Sequence, residues 1–238
     1  MDAPPRKSAP TYTEIFVTLV LVVVVGVLLG VYKTWIPWKI NNVKVLGNAR
    51  QIALALQLYA QDHGGKFPSY TLQNGTPTTT PVADSNTAFA QLFPTYVDQE
   101  ALFWVPQSAF CSPNPPDEII DKPPLDSPVQ TLKSGENEWA YVLGLGTSSG
   151  PEFPLLADGF ADPVAHTYTS DRSKKGGVWN GRKALLIHAD GSANVLDVNQ
   201  STMTITGSNG GPAPGDIFTT ANSANGWLGP DNTVVNPK

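Results

Sequence analysis

The 238-residue chain has few of the groups that carry most protein chemistry. Cys111 is the only cysteine, which excludes an intramolecular disulfide. Beside Phe110 it reads as a small apolar residue without a redox role. Histidine occurs only at 63, 166 and 188, and no two stand in HxxxH or HExxH spacing, so a zinc site has no support. His188 lies on a predicted strand beside a turn and reads as structural. There is no GxSxG elbow, no phosphate-cradling loop and no dinucleotide fingerprint. The expectation is a non-enzyme with no catalytic residues. Charged residues make up only 15% of the chain, the net charge is −5, and Lys and Arg form no long cluster. That argues against a nucleic-acid footprint, which needs a basic face.

Glycine and proline are plentiful, at 21 and 22 residues, which suits a loop-rich extracytoplasmic domain. The other abundant feature is apolar: "TYTEIFVTLVLVVVVGVLLG", residues 11–30. From Ile15 to Tyr32 there are 18 residues without a charge, close to the ~20 of a spanning helix. The run is too apolar all round to be one face of a soluble helix. Tyr32, Trp35 and Trp38 follow it, as aromatics do at a membrane interface. A cleaved signal peptide would end in small residues; here Tyr, Lys, Trp and Pro come next, which favours a retained anchor over 10–38. Glu14 stands at the mouth of the run, where a charge is costly and usually functional. Gly26 and Gly30 form a GxxxG spacing, which fits close helix packing and simple tolerance equally well. Arg6 and Lys7 precede the run while Lys33, Lys39, Lys44 and Arg50 follow it, so charge alone gives conflicting orientations.

Beyond the anchor the apolar period changes. Val45, Leu46, Ala49, Ile52, Ala53, Leu56 and Tyr59 recur at three and four, a stripe on one helix face. Residues 39–66 therefore continue the helix, which Gly64 and Gly65 terminate. Running from about Tyr12 to about His63, it would be on the order of 75 Å long, with a kink at Pro37. Residues 67–138 read as a loop-rich region with short helices. It opens with a Thr- and Pro-rich surface loop to about Val82. Asn86 is expected to cap a short helix reaching Phe93, and Asp98 to begin another through Phe103. Six prolines make 112–138 a long irregular excursion.

Residues 139–198 carry the antiparallel sheet signals, "WAYVLG" at 139–144, "FPLLAD" at 153–158 and "KALLIHADGSANVLDV" at 183–198. In the last, Asp190-Gly191 predicts a two-residue type I′ turn. His188 would then face Ala193, Leu186 face Val195 and Leu185 face Leu196. Residues 199–238 are rich in Gly, Asn, Ser and Thr and are expected to be an irregular extension or partly disordered, docking through Ile217-Phe218, Trp227-Leu228 and Val234-Val235. The expected fold class is α+β: a long N-terminal helix packed on a small antiparallel sheet with long irregular loops.

That order of elements resembles a type IV pilin or type II secretion pseudopilin. The family has a short basic leader removed by a peptidase, and a glutamate fifth in the mature chain before an apolar run. Here Arg6 and Lys7 supply a leader over 1–9, and counting back from Glu14 places the cut between Ala9 and Pro10. The family pattern has Gly and Phe there, and a proline after the scissile bond resists most peptidases. "NARQIALALQLYAQDHGGKFP", 48–68, is similar to the first-helix end of planctomycete and verrucomicrobial pseudopilin-like paralogues. "PLLADGFADPVAHTYTSDRSKKGGVWNGRKALLIHADGSANVL", 154–196, resembles their closing sheet. Those often carry a His, nine intervening residues and then Asp-Gly; the pair Asp190-Gly191 is present and Asn180 takes the His position.

The resemblance implies a structural subunit of a type II secretion or type IV filament system, working in protein secretion or surface filament assembly. It implies a single pass through a bacterial inner membrane, with the N-terminus cytoplasmic and the C-terminal domain periplasmic or extracellular in a filament. Glu14 would be the assembly residue, neutralising a neighbour's N-terminal amine. Partners would be copies of the chain or related pseudopilins through the N-terminal helix, the inner-membrane assembly machinery and a prepilin peptidase. N-terminal methylation would follow cleavage. No cofactor is expected. Calcium is the one candidate, because the family's major pseudopilin binds it in its closing loops; here Asp158, Asp162 and Asp171 are the acids available, without EF-hand spacing. Solvated turn aspartates are the plainer reading of those three. The alternative function is a single-pass anchored periplasmic binding module that does not polymerise, with Glu14 paired to Lys7 or Arg6.

Overall fold

The computed structural model describes residues 11–207, 215–220 and 228–238, and the side chains of all of these except 31–42. Ala9 and Pro10 lie outside the described residues, and so do Trp227 and the side chain of Pro37. One helix, α1, spans Tyr12–Asp62. The chain divides into two compact units after Lys44.

In the first unit, residues 12–30 form a helical stretch long and apolar enough to cross a membrane. Every residue of it is exposed among the described residues, and its surface is apolar all round. This is consistent with a membrane anchor. A Cβ built on Gly26 or Gly30 lies in open space.

In the second unit, α1 continues from Val45 and buries Val45, Ala49, Ile52, Ala53, Leu56, Tyr59 and Ala60. These belong to one core with the strands that follow, and the alanines allow close approach. Gly64 and Gly65, at φ +63° and +81°, end the helix, and the Gly65 amide donates to the Ala60 carbonyl at 2.7 Å.

Five antiparallel strands form the main sheet: β3 (Trp139–Leu143), β4 (Pro154–Asp158), β5 (Lys183–His188), β6 (Ala193–Asp197) and β7 (Thr233–Val235). Their order is β6-β5-β4-β3-β7. All residues of β3 and β4 are buried, so both faces are covered and the sequence shows a continuous apolar run instead of alternation. The architecture is α+β, a long N-terminal helix with a small antiparallel sheet and intervening loops.

Several local expectations are corrected. The stretch 67–82 is no plain loop: β1 (Tyr70–Gln73) and β2 (Thr76–Pro81) form a hairpin. Its turn residues Asn74 and Gly75, at φ +51° and +74°, make the two-residue type I′ connection expected elsewhere. At Asp190-Gly191 only Gly191 has positive φ, +82°. The Gly191 amide donates to the His188 carbonyl and the His188 amide to the Ser192 carbonyl, both at 2.9 Å. This is a three-residue loop with a glycine bulge, so the register slips by one: Ile187 faces Ala193, Leu186 faces Asn194 and Leu185 faces Val195. The short helix α2 (Ser85–Ala90) is capped by Asp84, whose Oδ1 accepts the Thr87 amide at 2.8 Å, while Asn86 lies inside it. The turn expected from Asp98 is a 3-10 turn at Glu100–Leu102. The C-terminal extension supplies the edge strand β7, paired with β3. Asn236 fixes the end of the chain: its Oδ1 accepts the Phe160 amide at 3.0 Å and its Nδ2 donates to the Phe160 carbonyl at 2.9 Å.

Candidate functional site

Glu14 sits at the third position of α1, with Thr11 preceding the helix. Its Oε2 accepts the Thr11 amide at 2.8 Å, one half of a Thr-x-x-Glu capping box. The carboxylate is exposed and lies where a helix N-terminus favours negative charge. In the single chain, Glu14 therefore already has a local structural role.

In the second unit a cleft of about 600 Å³ opens beside the end of α1. Tyr59, His63, Lys66, Tyr70, Gln91 and Asp231 are among its lining side chains. His63 stacks on Tyr59 at 3.7 Å between ring centroids, and its Nδ1 lies 2.8 Å from the Tyr59 carbonyl. The Tyr59 hydroxyl donates to Gln91 Oε1 at 3.1 Å, and Gln91 Nε2 donates to the Tyr70 carbonyl at 2.8 Å. Two hydroxyls on the wall, Ser69 and Ser149, each accept a backbone amide at 3.0 Å. The cleft thus offers a mixed aromatic and polar recognition surface in which the Ser69 and Ser149 hydroxyls are committed to the backbone.

Two of the fully buried carboxyl groups, Glu138 and Asp158, lie close together at one end of β3 and β4. Asp158 is paired with Trp139 across β3 and β4, Glu138 directly precedes Trp139, and the Gly159 amide donates to the Glu138 carbonyl at 2.9 Å. Asp158 Oδ2 accepts the Trp179 indole N–H at 2.8 Å and the Leu185 amide at 2.6 Å. Glu138 Oε2 accepts the Ser108 hydroxyl. Glu138 Oε1 and Asp158 Oδ1 have no hydrogen-bond partner among the described residues. Burial pushes the Asp158 carboxyl up to about 7. Burial, then the charge of Asp158, holds the Glu138 carboxyl well above the usual range. Both effects favour the neutral form of the Glu138 carboxyl.

A third group joins Glu100, Asp117 and Glu136, with one carboxylate oxygen of each within 4.8 Å of the others. Burial pushes the Glu100 carboxyl up to about 7; the Leu132 amide opposes this, and the charges of Glu136, Asp117 and Glu118 add to it.

The aspartates suggested for calcium are not brought together. Asp158 is in the core, Asp162 Oδ1 accepts the Val164 and Ala165 amides at 2.8 and 3.1 Å, and Asp171 Oδ1 accepts the Ser173 amide at 3.0 Å. Asp162 and Asp171 each satisfy their own turn. The grouping of Glu100, Asp117 and Glu136 escaped sequence reasoning because its members are scattered over irregular chain. Glu138 and Asp158 escaped it because an acid at a strand end reads as solvated; the only signal was an acid directly abutting a fully apolar strand.

Comparison with protein-family models, with curated proteins and with solved structures finds no match to this chain.

Proposed function

We propose that the protein is a pseudopilin-like structural subunit of a type II secretion or type IV filament system in a bacterial inner membrane. The supporting observation is a single helix whose first part is apolar and exposed all round, while its later part buries one stripe in the core of an antiparallel-sheet domain. A helix exposed on every side needs lipid, or other copies of itself, to cover it. In this reading the helices bundle into a filament core after leaving the membrane. Glu14 then pairs with the N-terminal amine of a neighbour in low dielectric, where an unpaired charge is costly. The globular unit stays outside the core, with the N-terminus cytoplasmic before assembly.

A second reading has a specific observation behind it. Glu14 is already engaged by the Thr11 amide, so it needs no partner chain to explain it. The same anchor would then hold a periplasmic binding module that does not polymerise, with the cleft beside Tyr59 and His63 as its recognition surface.

Mass spectrometry of the membrane-extracted protein separates the two. The filament reading expects a chain starting at Pro10. An intact Met1 in the membrane-extracted chain sinks it in favour of the unprocessed anchor.

A further inference from the structure

Glu100, Asp117 and Glu136 differ in exposure. Glu100 is fully buried and Glu136 nearly so, while Asp117 faces solvent. Glu100 Oε1 accepts the Leu132 amide at 2.6 Å, but its Oε2 is buried with no hydrogen-bond partner among the described residues. A carboxylate oxygen withdrawn from water and left without a bond is costly. A fourth acid, Glu118, spends its two oxygens on the Glu100 and Ala101 amides, at 2.7 and 3.1 Å. Glu136 Oε2 similarly accepts the Lys133 amide at 3.0 Å.

One cation meets this group, the Lys133 ammonium, which bonds Asp117 Oδ2 and lies 3.5 Å from Glu136 Oε1. A single positive charge faces four carboxylates and does not satisfy Glu100 Oε2. The donor set is all oxygen and all anionic, which selects a hard divalent ion over zinc or copper. Irregular chain on both sides can adjust to the large, flexible coordination shell of a calcium-sized ion, with water completing it on the open Asp117 side.

We propose that Glu100, Asp117 and Glu136 form a binding site for a hard divalent cation of the calcium class. The ion takes up Glu100 Oε2 and displaces the Lys133 ammonium from Asp117 and Glu136. Binding ties the irregular segment 103–138 to the 3-10 turn at Glu100–Leu102. The site is independent of filament assembly and shares no residue with the Asp158, Asp162 and Asp171 set.

The test uses the full-length chain in detergent micelles, stripped with a chelator and titrated calorimetrically with CaCl2 at pH 7.5. The expected result is one site in the wild type. Asp117→Asn, at an exposed position that leaves the core intact, weakens it by about tenfold or more. Lys133→Met binds at least as tightly as wild type, since it removes the competing ammonium. Asp171→Asn leaves binding unchanged. Calcium also slows hydrogen exchange at the Leu132 amide in the wild type. Absence of calcium binding by the folded wild type overturns the proposal. So does equal affinity in wild type and Asp117→Asn, or loss of binding in Asp171→Asn.

Discussion

The indole N–H of Trp179 donates to Asp158 Oδ2 at 2.8 Å inside the core, and the Leu185 amide donates to the same oxygen at 2.6 Å. One carboxyl oxygen thus joins the loop before β5, the strand itself and the end of β4. Among the described residues the other oxygen, Oδ1, has no hydrogen-bond partner, and neither does Glu138 Oε1. This arrangement makes stability depend on pH with a definite sign. The folded-state value for Asp158, about 7, lies above its ordinary carboxylate value, so the folded protein binds the proton more tightly than the unfolded chain. Its contribution is full below the ordinary carboxylate range and is lost as pH rises toward 7. The slope is at most about 1.4 kcal/mol per pH unit for each such group. Asp162 and Asp190 are held below their ordinary range by hydrogen bonds, so their contribution disappears instead as pH falls below roughly 4. Stability should peak in mildly acidic solution. Urea unfolding followed by tryptophan fluorescence checks this, with the midpoint at pH 4.5 expected above that at pH 8; the reverse order refutes it.

The two buried acids should respond unequally to mutation. Burial and the charge of Asp158 favour the neutral form of the Glu138 carboxyl, so Glu138→Gln puts an uncharged amide of similar shape in its place. That change should cost less than about 1 kcal/mol. Asp158→Ala strands the Trp179 indole and the Leu185 amide inside the core, a loss of roughly 2–4 kcal/mol. Chemical denaturation of both variants at pH 7 decides the point. An Asp158→Ala protein as stable as Glu138→Gln would show that the Asp158 bonds carry no net weight.

Two glycines separate backbone conformation from crowding. Gly75 and Gly176 have similar φ, +74° and +79°. A Cβ on Gly75 would meet its nearest atom at 3.7 Å, whereas on Gly176 it would lie 2.2 Å from the Ala161 backbone nitrogen. Gly75→Ala should therefore cost about 1 kcal/mol, from the positive φ alone. Gly176→Ala adds a clash that only the backbone can relieve, and should cost more than about 3 kcal/mol. Comparable unfolding midpoints for the two variants would contradict the close approach at Ala161.

Legibility in the sequence followed the physics of each segment. The stripe from Val45 to Tyr59 could be read because its period matches the face it buries. Strands β3 to β5 could be read because short, mostly apolar runs, WAYVL, PLLAD and KALLIH, stand among glycines and prolines. The hairpin at 183–198 was found but misregistered: Asp-Gly fits both a type I′ turn and a type I turn with a glycine bulge, and Asp190 keeps negative φ. Asn74-Gly75 was the stronger turn signal, yet β2, "TPTTTP", is almost wholly exposed and carries two prolines, so no apolar alternation announced it. Strand β7 was masked by the polar composition around it. The acid groups could not be read, because Glu100, Asp117 and Glu136 meet only after the irregular chain has folded back.

Glu14 carries two roles that one pair of substitutions can separate. As a capping residue it needs only an oxygen that accepts the Thr11 amide, 2.8 Å away, and glutamine supplies one. As the register residue of a filament it needs a negative charge for a neighbour's amine, which glutamine lacks. Glu14→Ala removes both functions; Glu14→Gln removes only the second. Under the filament proposal, both variants should enter sheared filaments several-fold less than wild type while accumulating normally in membranes. If Glu14→Gln assembles like wild type and only Glu14→Ala is impaired, Glu14 acts as a helix cap and the charge-pairing role is wrong. Far-ultraviolet circular dichroism of both variants in micelles completes the comparison. The cap contributes roughly 1 kcal/mol at one helix end, so neither variant should lose the fold of the second unit.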